Sequence, residues 1–262
     1  MSSSAMHVAK TGIDAQQARI QVISNNLANV NTTGFKRDRA NFESLLYQVM
    51  RPAGAQTSET TTATSATAIG TGVRLVATEK IHTQGSLNIT GNALDFAVDG
   101  QGFFQVLMPD GRTGYTRDGT FSRNAEGVLT TNSGYVVQPE IQIPEDAVSI
   151  VGSADGIISV TLPGMVDAQE VGQLSLASFA NPRGLEPVGE NLLVETVASG
   201  APAVAVPLAD GTGKLVQGAL ETSNVNVVQE LVDMIEAQRA YEVNSRSISA
   251  SDEMMRYLSN KL

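Results

Sequence analysis

Proline and glycine, the residues that break helices, are shut out of both ends of this 262-residue chain. All nine prolines and 22 of the 24 glycines lie in residues 51–220, so two terminal arms can run as unbroken helices. In the first arm Met6, Ile13, Ile20 and Leu27 recur every seventh residue, with Ala9, Ile23 and Val30 on the offset column. That is the seam of a helix packing lengthwise, interrupted at Gln16. Ser2, Ser3 and Ser4 can accept the first free amides, and Asn31-Thr32-Thr33-Gly34 supplies a stop, so a helix is predicted over about residues 4–30, ~40 Å long.

In the last arm Met234, Tyr241, Ile248, Met255 and Leu262 form one sevenfold column, and Leu231, Gln238 and Ser245 a more polar one. Asn226, with Gln229 three residues on, is a suitable cap for a helix over about 226–260, ~50 Å long. Seams this polar are poorly suited to a self-sufficient pair, which points to packing against neighbouring subunits. Met6, Ile13, Ile20, Ile23, Leu27, Val30, Leu231, Met234, Tyr241, Ile248, Met255 and Leu262 are therefore the candidate assembly residues.

The region between the arms reads differently. Five Asp-Gly pairs, at 99–100, 110–111, 118–119, 155–156 and 210–211, separate short runs rich in Val, Ile, Phe and Thr, the punctuation of tight hairpins. The fold class is accordingly α+β: long terminal helices packing as a coiled-coil-like pair around a central, mainly antiparallel β domain. The expected division is residues 1–34 and 222–262 as helical core, 35–75 as a connecting segment, and 76–221 as the β domain. Within the connector, residues 55–68 are almost wholly small and hydroxylic, so alone they would be extended or disordered.

Charge and composition narrow the function. The formal net charge is −10, and the one basic cluster, Lys36-Arg37-Asp38-Arg39, is short and interrupted by an acid. It reads as a solvated turn, and nucleic-acid binding is not expected. Charges inside both predicted helices argue against membrane insertion, and the N-terminus has no basic-then-apolar secretory signal. With no cysteine, thiolate chemistry and disulfides are excluded. The two histidines, His7 and His82, lack partners at metal-ligand spacing and read as surface residues. Gly100-Gln101-Gly102 opens into a strand and not a helix, so it is no phosphate loop. No catalytic residue, cofactor or metal site is predicted.

Residues 24–36, Ser-Asn-Asn-Leu-Ala-Asn-Val-Asn-Thr-Thr-Gly-Phe-Lys, resemble the signature near the N-terminus of bacterial flagellar rod and hook proteins. Residues 221–228, Glu-Thr-Ser-Asn-Val-Asn-Val-Val, and 234–242 resemble that family's other end, and residues 99–104 its shared β motif. The matching positions are Asn25, Asn26, Leu27, Asn29, Gly34, Phe35, Ser223, Asn224, Val225 and Asn226. Tyr47, Gln48, Pro52, Gly54, Gln56 and Thr60 lie in a stretch similar to one that distal rod proteins carry and typical hook proteins lack, associated in the family with a straight, rigid rod.

The resemblance implies a structural, non-enzymatic subunit of the distal rod. Copies would polymerise into a rigid helical tube that transmits motor torque to the hook and encloses an export channel. It further implies axial contacts with proximal rod and with hook or hook-junction proteins, surrounding basal-body rings, and delivery into the periplasm by the flagellar type III export apparatus without a cleaved signal. The alternatives are a proximal rod or hook-type axial protein of the same family or, in a different class, a secreted β-rich binding module or hydrolase.

Overall fold

The computed structural model describes residues 2–56, 64–164 and 167–259. Two helices, α1 (Ser2–Ala28) and α2 (Val227–Ser259), bracket a run of short strands, so the chain is α+β with helices at its ends and a central antiparallel β region. It divides into two compact units. One comprises Met1–Leu27, Asp38–Glu79 and Asn226–Leu262; the other comprises Ala28–Arg37 and Lys80–Val225.

In the helical unit, Asn226 caps α2: its Oδ1 accepts the backbone N–H groups of Val228 (3.0 Å) and Gln229 (3.2 Å). Contacts between the helices run in opposite chain directions. Asn26 Nδ2 donates to Glu230 (3.2 Å), Arg19 lies 3.5 Å from Asp233, and a Cβ on Gly12 would sit 2.9 Å from Asn244 Nδ2. The same unit holds two strand pairs, Asp38–Ser44 with Val73–Lys80 and Gln48–Arg51 with Thr67–Ile69. Along α2, the hydroxyls of Ser247, Ser249 and Ser251 each donate to the carbonyl four residues back, a bond helical serines make to their own backbone.

The β unit is built on a seven-stranded sheet in the order Glu186–Gly189, Leu192–Val194, Thr113–Thr116, Phe104–Leu107, Val136–Gln138, Leu129–Thr131, Phe121–Arg123. A three-stranded sheet (Ser149–Gly152, Ile157–Thr161, Gln169–Gln173) and three further strand pairs complete it. Phe96, Val98, Phe104, Phe121, Leu129, Ile158, Leu174 and Leu176 belong to its main core, and the Phe104 and Phe121 rings meet edge to face at 5.0 Å.

Only two of the five Asp-Gly pairs connect partnered strands: 110–111 joins Phe104–Leu107 to Thr113–Thr116, and 155–156 joins Ser149–Gly152 to Ile157–Thr161. Strand Phe96–Asp99 pairs instead with Lys214–Gln217, so the 99–100 turn leads away from its partner. Gly119 lacks a positive φ and is required for another reason: a Cβ there would fall 1.6 Å from the carbonyl oxygen of Phe96.

Candidate assembly interface

Helix α2 has two distinct faces within the helical unit. One carries fully buried Glu230 and Ala237 with half-buried Met234, Asn244 and Ile248 at the i, i+4, i+7 spacing that keeps side chains on one side. The opposite face carries Val228, Leu231, Val232 and Ile235, which are 71%, 44%, 45% and 50% exposed. Exposed Arg239, Glu242 and Arg246 follow, and then Met254 and Tyr257, again exposed. Solvent should meet a polar outer face on a helix that packs only once. This one presents apolar groups on both faces of its first turns.

The predicted assembly residues fall into three environments. Ile23 is buried; Met6, Ile13, Ile20, Leu27, Met234 and Ile248 are half-buried in the helical unit, and Val30 is half-buried in the β unit. Leu231, Tyr241 and Met255 are exposed. Leu262 lies outside the described residues.

The asparagine-rich signature places side-chain amides on backbone. Asn26 donates to the Asp38 carbonyl at 2.9 Å and accepts the Asp38 N–H at 2.8 Å, a two-way bond that fixes the chain after α1, while Asn25 donates to the Asp38 carboxylate. Asn29 Oδ1 accepts the Thr32 hydroxyl, and Gly34 takes φ +67°. In the β unit, Asn224 Oδ1 accepts the Arg37 N–H at 2.7 Å and its Nδ2 donates to the Ile81 carbonyl at 2.7 Å. Ser223 Oγ accepts the Val225 N–H, Val225 is buried, and buried Phe35 lies under the Lys80 amine, 4.9 Å from its ring centre.

The cluster expected as a solvated turn is corrected at its first residue. Lys36 is 3% exposed, and its Nζ lies 2.6 Å from Glu221 Oε1 and donates to the Thr83 carbonyl at 2.9 Å. Arg117, 6% exposed, approaches the other Glu221 oxygen at 3.5 Å and donates to the Gly100 carbonyl. Burial pushes the Lys36 amine below its ordinary value, while Glu221 pulls it back. The pairing of Lys36 and Arg117 with Glu221 has no signal in the sequence, because partners as far as 185 residues apart leave no local pattern.

His82 is also corrected. His7 is exposed, but His82 is half-buried and packs edge-on against Phe103 at 5.4 Å. Burial foremost, then the positive charges of Lys36, Arg117 and Lys80, push its pKa down to about 4.

In the connecting segment Tyr47, Gln48, Pro52, Gly54 and Gln56 are all exposed, with Gln48 in the strand Gln48–Arg51 and Gly54 at φ +81°. Tyr47 has exposed apolar neighbours in Leu46, Val49 and Met50. Thr60 lies outside the described residues. Among the described residues no cluster of acidic and histidine side chains could hold a metal, and no helix is long and apolar enough to cross a membrane.

Three family models match in chain order: the flagella basal body rod protein model over residues 6–36, the flagellar hook protein FlgE/F/G D1 domain over 97–160, and the flagellar basal body rod FlgEFG protein C-terminal model over 216–261. The flagellar basal-body rod protein FlgG of Buchnera aphidicola subsp. Schizaphis graminum is 55% identical across 96% of this chain and 97% of its own. That of Agrobacterium fabrum is 48% identical across 98% and 99%. The flagellar hook protein FlgE of Helicobacter mustelae matches at 42% over only 49% of this chain and 28% of its own. Similarity that runs the full length of the rod proteins but covers under a third of the hook protein separates the two, and the chain belongs to the FlgG family of flagellar basal-body rod proteins, as a structural rod subunit.

Proposed function

We propose that this chain is a distal rod subunit whose copies join through contacts between unlike surfaces, which do not close on themselves and so propagate a helical tube. The observation that carries this reading is the outer face of α2, where Val228, Leu231, Val232 and Ile235 stand in water beside a face already packed. Contact with a neighbouring copy removes that apolar surface from water at about 25 cal/mol per Å². The helical segments 1–34 and 222–262 supply coiled-coil-like packing between subunits. Residues 35–75 connect them to the β domain of residues 76–221.

In this role the chain performs no chemistry. It transmits torque along the rod, encloses the export channel, and spans the periplasm. Its axial neighbours are other rod proteins and hook-type proteins, with basal-body rings around it and the flagellar export apparatus as its route of delivery. Residues 47–68 act as a stiffening strut between subunits. Electron microscopy of the purified protein at rising concentration tests the reading. Straight tubes are expected, and a chain that stays monodisperse throughout would overturn it. Tubes built without residues 47–68 should bend more readily.

A further inference from the structure

In an Asp-Gly pair the aspartate carboxyl and the glycine peptide nitrogen can close a ring, since glycine has no side chain to obstruct the approach. In four of the five pairs the fold occupies the reacting groups. Asp99 Oδ1 accepts Gln84 Nε2 and Oδ2 lies 3.2 Å from Lys214, while the Gly100 N–H donates to Gln84. Asp110 is held by the peptide N–H and Nε of Arg112, and the Gly111 N–H donates to the Met108 carbonyl. Asp118 Oδ1 accepts the hydroxyls of Thr33 and Thr120, beside a buried Gly119. The Ser153 hydroxyl holds the Asp155 carboxyl below its ordinary pKa, and the Gly156 N–H donates to the Ser153 carbonyl. Asp210-Gly211 differs at both groups. Both residues are exposed, and among the described residues neither the Asp210 carboxylate nor the Gly211 N–H has a hydrogen-bond partner. Nothing lies within 4 Å of where a Gly211 Cβ would stand. The pair sits in a tight turn closed by the Thr212 N–H on the Ala209 carbonyl at 2.9 Å, with Asp210 at φ +50° and Gly211 at φ +78°. Asp210 and the nearby Leu208, at φ +70°, both hold a left-handed backbone that is strained for a residue with a side chain.

We propose that Asp210-Gly211 is a site of isoaspartate formation in the folded chain. The Gly211 nitrogen bonds to Asp210 Cγ, and one carboxyl oxygen departs as water with the carboxyl proton and the amide proton. The product is a five-membered succinimide. Water then adds to one of the two ring carbonyls. At Cγ it breaks the new bond and restores aspartate; at the main-chain carbonyl it breaks the original peptide bond and leaves isoaspartate. Nothing is oxidised and the mass is unchanged. The main chain gains one methylene and the free carboxylate is now attached directly to Cα, so the Thr212–Ala209 bond no longer closes a four-residue turn. None of these steps depends on polymerisation, so the outcome is separate from that of the tube reading.

The test is ageing of the full-length protein at mildly acidic pH. Isoaspartate is then read by methyl transfer from labelled S-adenosylmethionine, catalysed by an isoaspartyl methyltransferase, and by peptide mapping. Asn-Gly, a pair that reacts in the same way, does not occur in this chain. Label should collect in the peptide holding residues 210–211 about tenfold or more ahead of the other four pairs, which must first break a hydrogen bond to a carboxylate or a peptide N–H. In urea that lead should vanish, because the five pairs then differ only in flanking sequence. Asp210→Glu keeps the charge but would have to close a six-membered ring, and should remove the label from this peptide. No label at 210–211, equal label at another Asp-Gly pair of the folded chain, a lead that persists in urea, or label that survives Asp210→Glu would overturn the proposal.

Discussion

Lys36 and Glu221, 185 residues apart, meet as a buried ion pair 2.6 Å long, and the peptide N–H of Gly34 donates to the Glu221 carbonyl at 2.8 Å beside it. The pair joins the segment that follows α1 to the segment that precedes α2, both within the β unit. Removing Lys36 leaves the buried Glu221 carboxylate with only the longer Arg117 contact, at 3.5 Å, and breaking one arm of a buried ionic cluster costs far more than the intact cluster is worth. Lys36→Met should therefore lower the stability of the β unit by about 3–5 kcal/mol. The triple variant Lys36→Met, Arg117→Met, Glu221→Leu, which removes all three charges together, should recover part of that loss. Urea unfolding of the three proteins measures it, and a single-variant loss below about 1 kcal/mol would mean water reaches the pair.

Acid should act through His82. Its folded pKa of about 4 lies below the ordinary 6.5, so above pH 6.5 the imidazole is neutral in both states and its contribution to stability is fully present. As pH falls from 6.5 through 4, the unfolded chain takes up a proton that the folded chain refuses, and stability is lost by up to about 3 kcal/mol. The difference in unfolding free energy between wild type and His82→Gln, followed from pH 7 to 4, isolates this from the carboxylates. A flat difference would contradict it.

Charge on the outer face of α2 should stop assembly without touching the monomer. Leu231→Asp and Ile235→Asp alter side chains that are already about half exposed, so the melting temperature of the monomer should shift by no more than a degree or two. Polymer yield by sedimentation should fall to background, because each contact would then bury an unpaired carboxylate. Ile248→Asp lies on the packed face and should lower both.

Gly119→Ala should destabilise the β unit by about 3 kcal/mol or more, since the new methyl group would collide with the Phe96 carbonyl and backbone cannot turn aside as a side chain does. Gly111→Ala, where nothing lies within 4 Å, should cost only the strain of a positive φ. Thermal unfolding of the two variants side by side separates collision from conformational strain.

The parts of this fold that are written locally could be read from the sequence. Proline-free arms with sevenfold apolar columns set the helices within two residues of Ser2–Ala28 and Val227–Ser259, and Asn226 as cap is a matter of three adjacent positions. Pairing between distant segments could not be read. Asp99-Gly100 looks like any hairpin turn, yet the partner of its strand lies more than a hundred residues on, at Lys214–Gln217. Lys36 looked solvated because its neighbours Arg37 and Arg39 are charged. Burial depends on Glu221 and Arg117, which the fold alone brings beside it.

The hydroxyl ladder of Ser247, Ser249 and Ser251 alters what the far half of α2 can tolerate. Each hydroxyl spends its proton on a carbonyl of its own helix, so this stretch asks no partner for an acceptor. Short side chains keep the backbone within reach of another surface. In the proposed tube, a neighbour packed against these three hydroxyls strands no donor on them, and register along α2 rests on the apolar groups on either side, at Val228, Leu231, Val232 and Ile235 and at Met254 and Tyr257.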